Sequence, residues 1–165
     1  MKFYTIQTLE FWESNKHNVY LKNDFNLVDE DMIYSYRWMY RQMIKRIKDV
    51  DDSMVWLWPS RPDLRCSGYL NKGTKGVLLE LELNESQVLM SDFELWHYVL
   101  MDIPITMYDD EIIDKEKSWE RIFDFNVCKE IYKAHDEESL EIFKQGVTSK
   151  VKKNNVKLIK TFIAR

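Results

Sequence analysis

Two tryptophans and two arginines around a proline-rich turn have the residue types and spacing of a nucleotide site. Trp56 and Trp58 alternate in the run MVWLW, so both would project from one side of a strand. Arg61 and Arg65 follow in the turn. Guanidinium groups bind phosphate oxygens bidentately, and indole faces stack on a base or a nicotinamide ring. The alternative is that Asp63 forms an ion pair that only orders the turn.

A carboxylate and an imidazole lie five residues apart where a helix is predicted to begin. Ser91 and Glu94 have the spacing of a capping box, which places Asp92 and His97 in the first turns of that helix. Asp92 is a candidate ligand contact and His97 a candidate catalytic group. Alternatively, Asp92 caps the helix and His97 is an edge residue with its hydrogen bonds satisfied.

Other chemistry finds little support in the sequence. His17, His97 and His135 are isolated, and neither a zinc motif nor a serine or cysteine nucleophile motif occurs. We therefore expect no metal. Cys66 and Cys128 lack metal-ligand spacing, which predicts two reduced cysteines that serve in packing.

Composition predicts one ordinary globular domain over residues 1–165, with 45% hydrophobic and 32% charged residues. No apolar run approaches the ~18 residues of a membrane span, and no signal sequence is apparent. These features predict a cytoplasmic protein without membrane contact. The net charge of -4 argues against a generic nucleic-acid binder.

The clearest predicted helix, residues 29–48, carries a basic face opposite an apolar, methionine-rich stripe. The basic residues on this face are Arg37, Arg41, Lys45 and Lys48. Such a face is usually solvated. The functional alternative is a non-catalytic interaction protein that binds an acidic protein or a nucleic acid through this face.

Strands at both ends of the chain, with helices between them, predict an α+β domain whose mixed or antiparallel sheet carries packed helices. Thr8 is the predicted N-cap of a helix that follows the first strand directly. The predicted strands are residues 3–6, 54–58, 77–83 and 88–90, followed by a terminal hairpin of 147–151 with 156–163. The remaining predicted elements are a loop at residues 23–26, helices over 115–125 and 127–132, and a short helix capped by Asp136.

Several motifs, taken in order, resemble a bacterial family known only as a domain of unknown function, number 3841. They are YTIQT at 4–8 with Trp12, YRWM at 36–39 with Gln42-Met43, WLW at 56–58 with PDLR at 62–65, LMSDF at 89–93 with Trp96-His97, and KSWERIFD at 117–124. The resemblance runs over nearly the whole chain, and the family implies no established activity.

The layout of the chain is also similar to that of small ADP-ribosyltransferase domains, in which a first strand and a late carboxylate grip NAD. That resemblance implies a related fold, NAD as cofactor, cleavage at the nicotinamide ribose and transfer to an unknown macromolecular acceptor. It places Tyr4 and Gln7 in the cleft and gives Gln145 the position of the carboxylate, where an amide could bond a ribose hydroxyl. The candidate catalytic residues are then Gln145, Arg65 and His97, and the candidate cofactor contacts are Tyr4, Gln7, Trp56, Trp58, Arg61, Arg65 and Asp92. Alternatively, Gln145 only ends a helix, with Gly146 as its C-terminal stop.

Overall fold

The structure is a computed structural model that describes residues 1–23, 28–135 and 141–165. The strands are β1 (Lys2–Thr8), β2 (Tyr20–Leu21), β3 (Val55–Leu57), β4 (Lys75–Glu82), β5 (Leu89–Asp92), β6 (Lys144–Thr148), β7 (Val151–Lys152) and β8 (Val156–Ile163). The α-helices are α1 (Leu9–Asn15), α2 (Ile33–Arg46), α3 (Phe93–Leu100), α4 (Lys115–Trp119) and α5 (Phe125–Ala134). The fold class is α+β, as the sequence predicts.

All strand pairings in the described residues are antiparallel. One three-stranded sheet has the order β1-β4-β8, a second has the order β3-β6-β5, and β2 pairs with β7. Among the described residues, one main-chain bridge joins the two larger sheets, between Tyr4 of β1 and Trp58 just beyond β3. This single bridge sets the geometry of the site described below.

Two hydrophobic cores lie on opposite faces of the β3-β6-β5 sheet. One core fills the space between the two large sheets, where Leu79 and Leu81 of β4 pack with Val55 and Leu57 of β3. The other core lies between the β3-β6-β5 sheet and the helices, and its buried members include Trp38, Met39, Trp96, Trp119, Ile131 and Val147. Because side chains alternate across a strand, a sheet buried on both faces is apolar on both.

The N-caps of α1 and α3 mark the points where a strand ends and a helix begins. Thr8 caps α1 as predicted, since its hydroxyl accepts a hydrogen bond from the N–H of Phe11 at 3.1 Å. The prediction that Ser91 caps α3 is wrong, because Ser91 lies in β5 and the cap is Asp92. The carboxylate of Asp92 accepts from the N–H of Leu95 at 2.8 Å, so the alternative that Asp92 is the cap is correct.

The predicted terminal hairpin does not form. β6 enters the middle of the β3-β6-β5 sheet, whereas β8 pairs with β4 in the other sheet. Each strand thereby completes a sheet that faces a hydrophobic core. If the two strands paired with each other instead, both sheets would lack a strand. The helix predicted over residues 115–125 is shorter in the structure. It consists of α4, and a short 3-10 segment then connects α4 to α5. The predicted cap at Asp136 and most of the predicted loop at 23–26 lie outside the described residues.

The cysteines are both free, but only one packs in a core. Cys128 is buried, whereas Cys66 is exposed, so the packing role predicted for Cys66 is wrong. Its neighbours Ser67 and Gly68 are exposed as well, because the segment after the proline turn follows the surface. Among the described residues, no helix is long and apolar enough to cross a membrane.

Candidate functional site

The candidate site is a cleft that opens where β1 and β3 separate. Tyr4 and Trp58 exchange two main-chain hydrogen bonds, at 2.8 and 2.7 Å. The bridge does not continue along β1, so Ile6 and Gln7 border a gap between the sheets, opposite Trp56. Two adjoining compartments fill this gap.

The first compartment, called here the Trp58 compartment, has a volume of about 480 Å³ and is rich in aromatic side chains. Phe143 stacks on Trp58 with ring centroids 5.4 Å apart, and Phe93 lies 5.2 Å from the same indole. Tyr69 meets Trp58 edge to face at 6.0 Å. Four rings from four separate segments therefore surround a space of the size that a flat ring system would fill.

The second compartment, called here the Tyr36 compartment, has a volume of about 380 Å³. Its aromatic walls are Phe11, Tyr36 and Trp56, and Asp29 lies at its border. The rings of Tyr36 and Trp56 meet edge to face at 5.9 Å. Both compartments share a set of lining residues, Ile6, Gln7, Asn23 and Trp56. They are thus two parts of one cleft.

Polar groups of β1 line the boundary between the two compartments. The amide of Gln7 donates to the hydroxyl of Thr5 at 3.0 Å, which leaves its carbonyl oxygen to accept. Since main-chain groups of alternate residues point to the same edge of a strand, the N–H and C=O of Ile6 point as those of Tyr4 do, toward the cleft. Among the described residues, no main-chain hydrogen bond across the cleft involves Ile6.

The charges around the cleft are unusual for a phosphate site. Among the described residues, neither compartment is lined by a Lys, Arg or His side chain, and Asp29 is the one carboxylate. Phosphate recognition normally employs guanidinium or ammonium groups. The cleft is therefore better suited to rings and uncharged polar groups than to a phosphate.

The two predicted phosphate-binding arginines lie away from the cleft linings. Arg65 forms a bidentate ion pair with Asp63, with its nearest contact at 2.7 Å, and this pair holds the pKa of Asp63 down at about 2. Arg61 is exposed. The ion pair that orders the turn is thus present, and it occupies the guanidinium fork of Arg65.

The predicted site residues of β1 and of the strand region around β3 take two different positions. Gln7, Trp56 and Trp58 line the cleft. The hydroxyl of Tyr4 instead donates to Glu80 at 3.3 Å, and Tyr4 lines neither compartment. The main chain of Tyr4 nevertheless closes one end of the cleft through its bridge to Trp58.

Asp92 and His97 lie behind the cleft wall rather than in it. Asp92 is fully buried, and besides capping α3 it accepts a hydrogen bond from the Tyr132 hydroxyl at 2.6 Å. Burial raises the pKa of the Asp92 carboxyl, while its hydrogen bonds with Leu95 and Tyr132 lower it less strongly. A ring nitrogen of His97 lies 3.0 Å from the carbonyl of Phe93, and its ring contacts that of Phe93 edge to face.

Gln145 lies in β6 directly opposite Ser91 of β5, so the alternative that it ends a helix is wrong. It is only 4% exposed and is not one of the residues that line the cleft. Its amide nitrogen has no hydrogen-bond partner among the described residues. The position where the resemblance expects a carboxylate therefore holds a neutral amide beneath the surface.

Two of the four residues of the predicted basic face, Arg41 and Lys45, form ion pairs within the chain, and Lys48 lies beyond the end of α2. Arg41 pairs with Glu116 at 3.0 Å, and Glu120 pairs with Arg46 at 3.0 Å and with Lys45 at 3.7 Å. These ion pairs join α2 to the segment that begins at α4. The arrangement does not single out this face as a surface for an acidic partner.

Sequence reasoning missed several aromatic residues of the cleft. Tyr69, Phe93 and Phe143 come from a surface loop, the start of α3 and the approach to β6. Of the three, only Tyr69 could have been recognised in the sequence, because it is an aromatic residue in a mostly polar loop. Phe93 and Phe143 have no pattern that separates them from core residues. Among the described residues, no group of three His, Cys, Asp or Glu side chains could hold a metal ion.

Comparisons with known proteins identify the family and no activity. No curated protein and no solved structure matches the chain. One family model matches, over residues 2–112, and Phe143 and Gln145 lie beyond that range. Residues beyond the match also supply β6, which lies between β3 and β5, and β8, which borders β4. On the strength of that match, the chain belongs to the family described as domain of unknown function DUF3841.

Proposed function

We propose that this domain binds the nucleoside part of a nucleotide of the NAD class in the cleft between β1 and β3. The observation that carries the proposal is the Trp58 compartment, in which Trp58, Tyr69, Phe93 and Phe143 surround a space of about 480 Å³. Base–aromatic stacking contributes about 1–3 kcal/mol per base, and it tolerates different bases because each has a flat face.

The β1 edge supplies the polar contacts that stacking lacks. The main-chain N–H and C=O of Ile6 offer one donor and one acceptor side by side, and Gln7 adds a carbonyl acceptor. A carboxamide or a base edge carries the complementary pair. A few polar groups in a mostly apolar pocket are typical of small-molecule sites, where they set orientation.

The charge of the cleft limits the proposal to the ring end of the ligand. With no basic side chain among the described lining residues, a pyrophosphate would lie at the mouth, in water. We therefore expect nicotinamide or adenine rings to contribute most of the affinity.

We expect the domain to bind the nucleotide without transferring ADP-ribose. Departure of nicotinamide develops positive charge on the ribose, which a nearby carboxylate would stabilise. Gln145 is neutral and buried, and the described residues that line the Trp58 compartment include no carboxylate. Release of nicotinamide that disappears in Gln145→Ala would instead assign cleavage of the bond between nicotinamide and ribose, with water or another acceptor taking the ADP-ribosyl group.

Calorimetric titration of the full chain with NAD, supported by thermal melting, tests the proposal. Ligand at about 100 times its dissociation constant adds ~2.7 kcal/mol to the free energy of unfolding, so binding raises the melting temperature. Tyr69→Leu removes a ring of the Trp58 compartment and is expected to weaken binding about tenfold or more. Tyr98→Leu is the matched control, since Tyr98 is an exposed residue of α3 that lines neither compartment.

Two results would overturn the proposal. One is the absence of heat and of a melting shift at millimolar NAD in the wild-type protein. The other is equal weakening by Tyr69→Leu and Tyr98→Leu, because a ligand in the cleft contacts only the first of these positions.

A further inference from the structure

The described residues that line the Tyr36 compartment combine aromatic side chains with one carboxylate. Phe11, Tyr36 and Trp56 provide the rings, and Asp29 provides the carboxylate. No described lining residue carries a positive charge. A cation is attracted to ring faces and to a carboxylate alike, whereas an anion would meet both unfavourably.

Asp29 is held at the edge of this compartment by the local backbone. Its carbonyl accepts a hydrogen bond from the N–H of Met32 at 2.9 Å, which fixes Asp29 just before the 3-10 turn Glu30–Met32. The described residues contain no ion pair for its carboxylate. Its charge is thus not cancelled by a basic side chain.

The exposed carboxylate of Asp29 lines the same compartment as Tyr36 and contributes to the pKa of its hydroxyl. Burial raises the pKa of the Tyr36 hydroxyl, the indole N–H of Trp56 opposes this effect, and the negative charge of Asp29 adds to the increase. The direction of the Asp29 effect is that of an anion near a group that would become negative. The carboxylate and the rings therefore act on the same space.

We propose that the Tyr36 compartment binds a positively charged aromatic ring, an N-substituted pyridinium, in preference to a neutral ring of the same shape. This inference rests on the proposed function and specifies which end of the nucleotide enters this compartment. It places the oxidised nicotinamide ring next to Asp29, Tyr36 and Trp56. The domain then binds oxidised NAD more tightly than the reduced form, whose nicotinamide ring is uncharged.

The test compares two ligand pairs by calorimetry at low ionic strength, where electrostatic differences are largest. The first pair is oxidised and reduced NAD, and the second is 1-methylnicotinamide and nicotinamide. A cation–π contact with a neighbouring carboxylate is expected to favour the charged member by about 5- to 30-fold in dissociation constant.

Variants of the turn assign the preference to Asp29. Asp29→Asn is expected to reduce it to about threefold or less, and Asp29→Glu to retain most of it, because only the latter keeps the charge. Asp31→Asn is the matched control, since Asp31 is an exposed carboxylate of the same turn that does not line the compartment. It removes the same net charge, and the preference is expected to remain.

The outcomes separate this inference from the proposed function. Equal binding of oxidised and reduced NAD would overturn the inference while leaving the nucleoside site in place. Equal loss of the preference in Asp29→Asn and Asp31→Asn would also overturn it, since the effect would then come from the general charge of the protein. Failure of every ligand to bind would remove the proposed function itself.

Discussion

Replacing Asp92 with Ala removes two hydrogen bonds from a fully buried position. The carboxylate accepts from the N–H of Leu95 at 2.8 Å and from the hydroxyl of Tyr132 at 2.6 Å. Loss of an N-cap costs about 1 kcal/mol, and a buried hydroxyl left without its partner costs about 1–3 kcal/mol. We therefore expect Asp92→Ala to lower the free energy of unfolding by about 2–4 kcal/mol, measured by urea denaturation at pH 7.

A second Asp N-cap in the same chain provides the control. Asp114 caps α4 by accepting from the N–H of Lys117 at 2.9 Å, but it is exposed and has no tyrosine partner. Asp114→Ala is expected to cost only about 1 kcal/mol. Equal losses for Asp92→Ala and Asp114→Ala would contradict this expectation, because the bond with Tyr132 would then add no net stability beyond that of the cap.

The variant Asp92→Asn separates hydrogen bonding from charge. Asparagine caps helices well and keeps an acceptor for Tyr132, so its stability at pH 7 is expected to lie within about 1 kcal/mol of the wild type or above it. Burial raises the pKa of Asp92 above its usual 3.8, so the cost of burying the charged form is present at neutral pH. That cost declines as the pH falls through the raised pKa toward 3.8. The wild type is therefore expected to gain stability relative to Asp92→Asn between pH 7 and 4, and a constant difference would contradict this.

Two further predictions concern other parts of the fold. Gly146→Ala would place a methyl group 2.8 Å from a methyl carbon of Val88, so we expect a loss of about 1–3 kcal/mol in urea unfolding, and unchanged stability would show that this strand is not closely packed. Arg121 pairs with Glu111 and lowers its pKa from 4.5 to about 2, so the advantage of wild type over Glu111→Gln is expected to be full above pH 4.5 and to shrink as the pH falls toward 2. An advantage that grows over this range in acid titrations of both proteins would contradict the second prediction.

Local patterns of the sequence predicted the individual elements better than their partners. The alternation of leucine with Glu80 and Glu82 placed β4 correctly, since a strand with one face in the core has a period of two. The pairing of β8 with β4 was not predicted, because it joins distant parts of the chain and the polar turn at Asn154 and Asn155 favours a hairpin locally. Which strand completes which sheet depends on how both cores are covered, and a local pattern does not contain that information.

The same distinction explains what could be predicted of the cleft. Trp56, Trp58 and Gln7 line it because strand alternation fixes which side they face. Arg65 does not line the cleft. Its guanidinium group instead forms an ion pair with Asp63, two residues away. Phe143 joins the cleft only through the packing of β6 beside β3, a contact between distant parts of the chain.

The indole N–H signals in a ¹H–¹⁵N NMR spectrum, recorded during titration with oxidised NAD, show whether the ligand occupies the cleft between β1 and β3. Six tryptophans give separate signals, which single Trp→Phe variants assign. We expect saturable shifts for Trp56 and Trp58, which line the cleft, and much smaller shifts for Trp12 and Trp119, which do not. Unchanged signals of Trp56 and Trp58 at millimolar NAD, or shifts confined to Trp12 and Trp119, would contradict a nucleoside site between β1 and β3.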